Sequence, residues 1–235
     1  MWDATVDGRR LTFHLSGINN QNFIMRDEET GSWWQQVSGE AIQGPLKGKK
    51  LTQVFHDELS FGLWKREQPL GRVLKPDPAL AAKYASEDWE RQIDQMKVVV
   101  PAANNEPLRP RELIAGVRIN NTAKAYPIKG LLEQSPVIDD LGAVPFIIIV
   151  GEDRKSIRVF ERNVDGRTLE FYARPGIEPL QLVDSQTGSQ WDFSGKAVSG
   201  QLTGKQLVPV PVLKDFWFDW KLYNPQTSVY APGVR

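Results

Sequence analysis

Trp33, Gln35 and Gln36 stand close together, and Asn19-Asn20-Gln21-Asn22 form a polar loop ahead of them. Successive strand residues face opposite sides, so an inward Trp34 turns Trp33 outward. An outward indole stacks on a sugar ring, and neighbouring amides hydrogen-bond its hydroxyls. His14 adds an imidazole nearby in the chain. Trp33, Gln35, Gln36, His14 and Asn22 are therefore the candidate ligand-binding residues. Plainer readings stay open: Trp33 covered by a loop, His14 a packing aromatic. Other groupings carry less. His56-Asp57 has the composition of an acid/base pair, yet at a helix start Asp57 and Glu58 suit the helix dipole. Asp139-Asp140 and Glu152-Asp153 read as turns, whereas glycoside hydrolysis needs two carboxyls converging across a cleft. Asp27-Glu28-Glu29 lacks the spacing and glycine of a calcium loop. Gly44-Pro45-Leu46-Lys47-Gly48-Lys49 falls short of a phosphate-loop spacing and lacks its hydroxyl. No residue is assigned a catalytic or metal-binding role.

Composition narrows the chemistry further. The 235 residues include no Cys and 2 His, with 29 Lys+Arg against 29 Asp+Glu. Thiol nucleophiles, disulfides and thiolate metal sites are excluded. A net charge of +0 argues against a general nucleic-acid binder. No apolar run approaches the roughly 18–20 residues of a membrane span. The opening Met1-Trp2-Asp3 has no basic or apolar leader region, so an intact secretory precursor is not expected. No metal and no organic cofactor are expected.

The elements that must position these residues follow an internal repeat. Val6-Asp7-Gly8-Arg9 returns as Val164-Asp165-Gly166-Arg167. Asp27, Thr30, Gly31, Ser32 and Trp34 return as Asp184, Thr187, Gly188, Ser189 and Trp191. Ser38-Gly39, Ala41, Gly44, Leu46, Gly48-Lys49 and Leu51 return in order up to Leu207, and Phe61 and Trp64 match Trp217 and Trp220. The order is kept throughout, so two copies of one unit are expected. Asp-Gly dipeptides between alternating segments predict hairpins. Each unit is expected to end in a short helix, 57–67 and 214–223. The matched tryptophans belong in the core.

Between the copies, 79–84 and 86–96 read as helical, with Ser86 as N-cap, and 101–110 as a loop. Segments 114–120, 124–128 and 144–150 read as strands, with a helical turn at 129–134. The fold class is α+β, predominantly antiparallel β. The organisation is a first unit over 1–77, a helical and loop linker over 78–112 and a second unit over 113–235. Copy two has extra residues over 115–159 that copy one lacks, and Met1-Trp2 align with Val159-Phe160 in mid-strand. The edge from Trp2 to Leu15 is therefore expected to be covered by the second unit, another copy of the chain or a separate protein partner.

Gly116-Val117-Arg118-Ile119-Asn120, Ala125-Tyr126-Pro127-Ile128, the Val-Asp-Gly-Arg hairpin, the Asp-x-x-Thr-Gly-Ser-x-Trp turn and the Gly-x-Leu-x-Gly-Lys turn occur in that order. This set resembles the bacterial family of unknown function DUF3179, present as two tandem copies, the first N-terminally incomplete. The resemblance implies an exported or envelope protein, periplasmic or extracellular, with no activity to carry over. The family's Cys-Pro-x-Cys positions fall on Gly151 and Arg154, and its His falls near Gln134. The leading expectation is a non-catalytic binding or assembly module of the cell envelope that self-associates or binds a protein. The alternatives are a carbohydrate-binding module using Trp33, or an enzyme with an unrecognised carboxylate/His site.

Overall fold

The computed structural model describes residues 1–19, 22–99, 105–174, 176 and 180–231. Asn20 and Gln21 of the polar loop, residues 101–104 of the 101–110 loop, and Pro232, the repeat counterpart of Pro76, lie outside the described residues.

The protein is predominantly antiparallel β with a few short helices. Its first part holds β1 (Thr5–Val6), β2 (Arg9–Arg10), β3 (Phe13–Asn19), β4 (Asn22–Asp27), β5 (Trp33–Gln35), β6 (Glu40–Gln43) and helix α1 (Phe61–Glu67). A 3-10 turn (Pro78–Lys83) and α2 (Trp89–Gln95) follow. Then come β7 (Leu113–Ile119), β8 (Thr122–Pro127), α3 (Ile128–Gln134), β9 (Val137–Leu141), β10 (Val144–Val150) and β11 (Ile157–Glu161). The chain continues through β12 (Asn163–Val164), β13 (Arg167–Thr168), β14 (Phe171–Ala173), β15 (Gln181–Asp184), β16 (Gln190–Asp192) and β17 (Ala197–Ser199). It closes with β18 (Pro209–Val210), β19 (Val212–Phe216), α4 (Trp217–Tyr223) and β20 (Ser228–Val229).

Two four-stranded sheets, β3-β4-β5-β6 and β14-β15-β16-β17, follow matched sequence, each preceded by a two-stranded ribbon. The ribbons turn on Asp7-Gly8 and Asp165-Gly166, with φ of 49° and 78° in one and 49° and 76° in the other. Two successive positive φ values make the primed turn that matches strand twist. Two further sheets, β18-β11-β10-β9 and β19-β7-β8-β20, complete the second part, and β20 pairs with β8 in parallel.

The Asp-x-x-Thr-Gly-Ser-x-Trp stretch forms the same buried network twice. Trp34 Nε1 donates to Asp27 Oδ2 at 2.8 Å, and Trp191 Nε1 to Asp184 Oδ2 at 2.9 Å. The backbone N–H of Thr30 and of Thr187 donates to the same aspartate at 2.6 Å. The serine hydroxyl then accepts from Leu46 N in one and Leu202 N in the other. Each indole is 0% exposed and meets a phenyl ring edge-on, Phe13 at 5.6 Å and Phe171 at 5.7 Å. A buried carboxylate saturated by donors is tolerated where a lone one is not.

The core around Trp191 is large. It draws in Ile147, Ile149, Phe160, Leu169 and Leu207, and also Leu63 from α1. The core around Trp34 is small, with four other buried members.

Several expected elements sit differently. The first helix begins at Phe61, not 57, because Ser60 caps it by accepting from Leu63 N. Asp57 and Glu58 serve ion pairs with Arg158 and Lys214 rather than a helix dipole. Residues 214–216 are strand, because β19 pairs along β7 before α4 starts. Asp88, not Ser86, stands at the N-cap of α2; the Ser86 hydroxyl donates to the Asp88 carboxylate. Asp139-Asp140 lie inside β9, and the turn falls at Gly142-Ala143, where both φ are positive. Trp64 is half-buried and stacks on Phe61; Leu63 is the buried residue of α1.

Candidate functional site

The first sheet and α4 face each other across a cleft of about 580 Å³. On one wall stand Asn22 at the start of β4, with Gln35 and Gln36 at the end of β5. On the other stand Asp215 from β19, and Asp219 and Tyr223 one turn apart on α4. Trp2 and Trp220 also line it. Gly116 lets Trp220 lie against β7, since a Cβ there would meet the indole at 2.3 Å.

The carboxyls are unusual. Burial pushes the Asp215 carboxyl up to about 7, and the Asp219 charge adds to it. Burial also raises Asp219, to about 6, against a hydrogen bond donated by the Asn22 amide. Asp219 is only 9% exposed. The Tyr223 hydroxyl is buried without a hydrogen bond of normal geometry. Gln35 and Asn22 lie near enough to oppose its upward pKa shift, which burial causes. A concave site with convergent polar groups and perturbed carboxyls is the usual form of a ligand site.

Of the residues singled out in the sequence, Asn22, Gln35 and Gln36 are brought together here. The Gln36 carbonyl accepts from Trp2 Nε1 at 2.6 Å, and Gln35 Oε1 accepts from the Ser38 hydroxyl. His14 and Trp33 are not among the lining residues. His14 sits opposite Arg26 on the exposed β3–β4 ribbon, with Nδ1 3.9 Å from Glu28. Trp33 is half-buried on β5, opposite Arg26 on one side and Gln43 on the other. Asp215, Asp219 and Tyr223 are the residues that sequence reasoning missed. A signal existed: the repeat match places Asp215 opposite Leu59 and Asp219 opposite Leu63.

Among the described residues, no group of three or more His, Asp or Glu is arranged to hold a metal ion. No helix there is long and apolar enough to cross a membrane.

The family described as protein of unknown function, DUF3179, matches residues 1–227. The chain belongs to the DUF3179 family. No curated protein and no solved structure matches it.

In this DUF3179 protein the acid pair has a thermodynamic consequence. Asp215 and Asp219 hold protons more tightly folded than unfolded, where an aspartate titrates near 3.9. The folded chain therefore carries extra protons between about pH 4 and pH 7, and stability falls as pH rises through that window. Asp215→Asn removes the ionisation penalty. It is expected to stabilise at pH 8 by about 1–3 kcal/mol and to change little at pH 4. Melting scans at the two pH values check this; an equal effect at both would sink it.

Proposed function

We propose that this DUF3179 protein is a non-catalytic binding or assembly module of the bacterial cell envelope, and that the cleft between the first sheet and α4 receives a polar ligand. The observation that carries this is the convergence of Asn22, Gln35 and Gln36 with Asp215, Asp219 and an unsatisfied Tyr223 hydroxyl in one concavity. An envelope location, periplasmic or extracellular, rests on the family resemblance. The proposal includes two copies of one unit, over 1–77 and 113–235 with 78–112 as linker, the first lacking counterparts of 115–159. The matched aspartate–tryptophan networks support that division.

A protein contact along Trp2 to Leu15 belongs to the same proposal. There, β3 is an edge strand with Leu15 57% exposed, and farther along the same strand Ile18 is 65% exposed. It carries no Lys, Arg, Asp or Glu of the kind that blunts edge pairing. One observation favours the enzyme reading instead: a carboxyl poised near neutrality at Asp215 suits a general acid or base.

Tryptophan fluorescence tests the seat, because Trp2 and Trp220 line it. Chitohexaose, Nα-acetyl-arginine amide and inorganic phosphate serve as probes. At least one is expected to quench saturably, and Asn22→Ala or Gln35→Ala to weaken that response by about fivefold or more, the loss of roughly one hydrogen bond. No saturable quenching by any probe, or unchanged titrations in both variants, would overturn the proposal.

A further inference from the structure

The cleft beside α4 has a counterpart beside α1. The two helices and the residues just before them occupy matched positions: Leu59 corresponds to Asp215, Trp64 to Trp220 and Glu67 to Tyr223, and all six line their respective concavities. Beside α1 a guanidinium lines the space and pairs with its acids. Arg158 Nη2 lies 2.7 Å from both Asp57 Oδ2 and Glu67 Oε2, and its Nη1 lies 2.7 Å from Glu67 Oε1. The group is stacked 4.9 Å from the centre of the Phe193 ring.

Beside α4 the acids are present without a cation. Among the described residues, no ion pair includes Asp215 or Asp219. The basic groups of the lining do not supply one. Lys214 is paired with Glu58 at 2.7 Å, the Met1 amino group faces His56 Nδ1 at 3.3 Å, and the lining residue Arg118 pairs with neither acid. Carboxylates elsewhere out of water are answered, Asp139 by Lys124 at 2.6 Å and Asp57 and Glu67 by Arg158, while Asp27 and Asp184 are held by hydrogen-bond donors alone. Charges taken out of water are normally paired in this way.

We infer that the cleft is a seat for a guanidinium group, held by Asp215 and Asp219 with the Tyr223 hydroxyl accepting a further N–H. This rests on reading the cleft as a ligand seat, and it names the ligand's chemistry. A planar guanidinium offers five donors to carboxylates and stacks on aromatic rings, and Trp2 and Trp220 stand at hand. Both carboxyls keep their protons to higher pH than an ordinary aspartate, so at the acid end the cation must displace them, and binding strengthens from pH 5 to pH 8. His56, Lys214, Arg118 and the Met1 amino group face the same space.

The test compares Nα-acetyl-arginine amide with its neutral isostere, Nα-acetyl-citrulline amide, by tryptophan quenching. The arginine probe is expected to bind at least about tenfold tighter, the worth of one charge-assisted pair. Asp215→Asn and Asp219→Asn should each weaken it about fivefold or more, and Tyr223→Phe about threefold, the range for one hydrogen bond. Both aspartate changes keep the shape and relieve a buried charge, so the variants fold. A capped Ser-Ile-Arg-Val-Phe peptide, the sequence around Arg158, separates the sources. Tighter binding than the amide assigns the group to a polypeptide, and equal binding to a small molecule. Equal affinity for citrulline, or aspartate variants that bind unchanged, would overturn the inference. If chitohexaose or phosphate titrates while arginine does not, the seat stands and only its guanidinium assignment falls.

Discussion

Replacing Arg158 by alanine is expected to destabilise the protein by about 3–5 kcal/mol, since it removes one side of a buried ion cluster and strands the other. Its side chain is 8% exposed and holds Asp57 and Glu67 at once. Burial works against the guanidinium charge, and the two carboxylates more than offset it, so its pKa is held above the ordinary value. Without Arg158, two partly buried carboxylates repel each other where Leu63 must stay seated beside Ile147 and Ile149. The loss is a large part of the roughly 5–15 kcal/mol available to a folded domain. Urea unfolding measures it. The exposed pair Arg91–Asp88 is the control, expected to shift stability by less than about 0.5 kcal/mol. A loss below about 1 kcal/mol at Arg158 would show that the cluster contributes little to the packing of α1.

Trp191→Ala is expected to cost about 4–5 kcal/mol, near the top of the range for a buried aromatic. The ring is fully enclosed, and Phe171, Leu182 and Ala197 around it belong to a large core, which cannot collapse into the hole. The change also removes one donor from Asp184. Trp34→Ala is expected to cost less, about 3 kcal/mol, because its small core has more freedom to close. Paired urea titrations compare the two, and a larger loss at Trp34 would contradict this ranking of the cores. Hydrogen exchange should localise the Trp34 effect to β3 through β6.

The parts of the fold readable from sequence were those whose cause is local. Asp7-Gly8 and Asp165-Gly166 announce turns because Asp and Gly tolerate positive φ. Val144 to Val150 is an apolar β-branched run and forms β10 to the residue. The aspartate–tryptophan turn was legible as a repeated pattern, although its role as a hydrogen-bond hub was not. Errors fell where a distant partner decides. Residues 214–216 have helical neighbours, yet β7 captures them as strand. Asp139 looks like a turn residue until Lys124 and Tyr126 reach it from β8. Half of the cleft was visible as amides at 22, 35 and 36. The acids were not, because only the approach of α4 to the first sheet gives Asp219 its Asn22 partner, 197 positions away.

The seating of α1 also governs the order of folding. Leu63 joins a core whose other members begin at Ile147, and Arg158 reaches Asp57 across 101 positions. A seven-residue helix does not persist alone in water. During synthesis α1 emerges long before its seat exists, so it must wait until β10 and β11 have been made. Closing so large a loop comes late and is slow. The apolar floor beneath Leu63 then stays open to other nascent chains until α1 is seated.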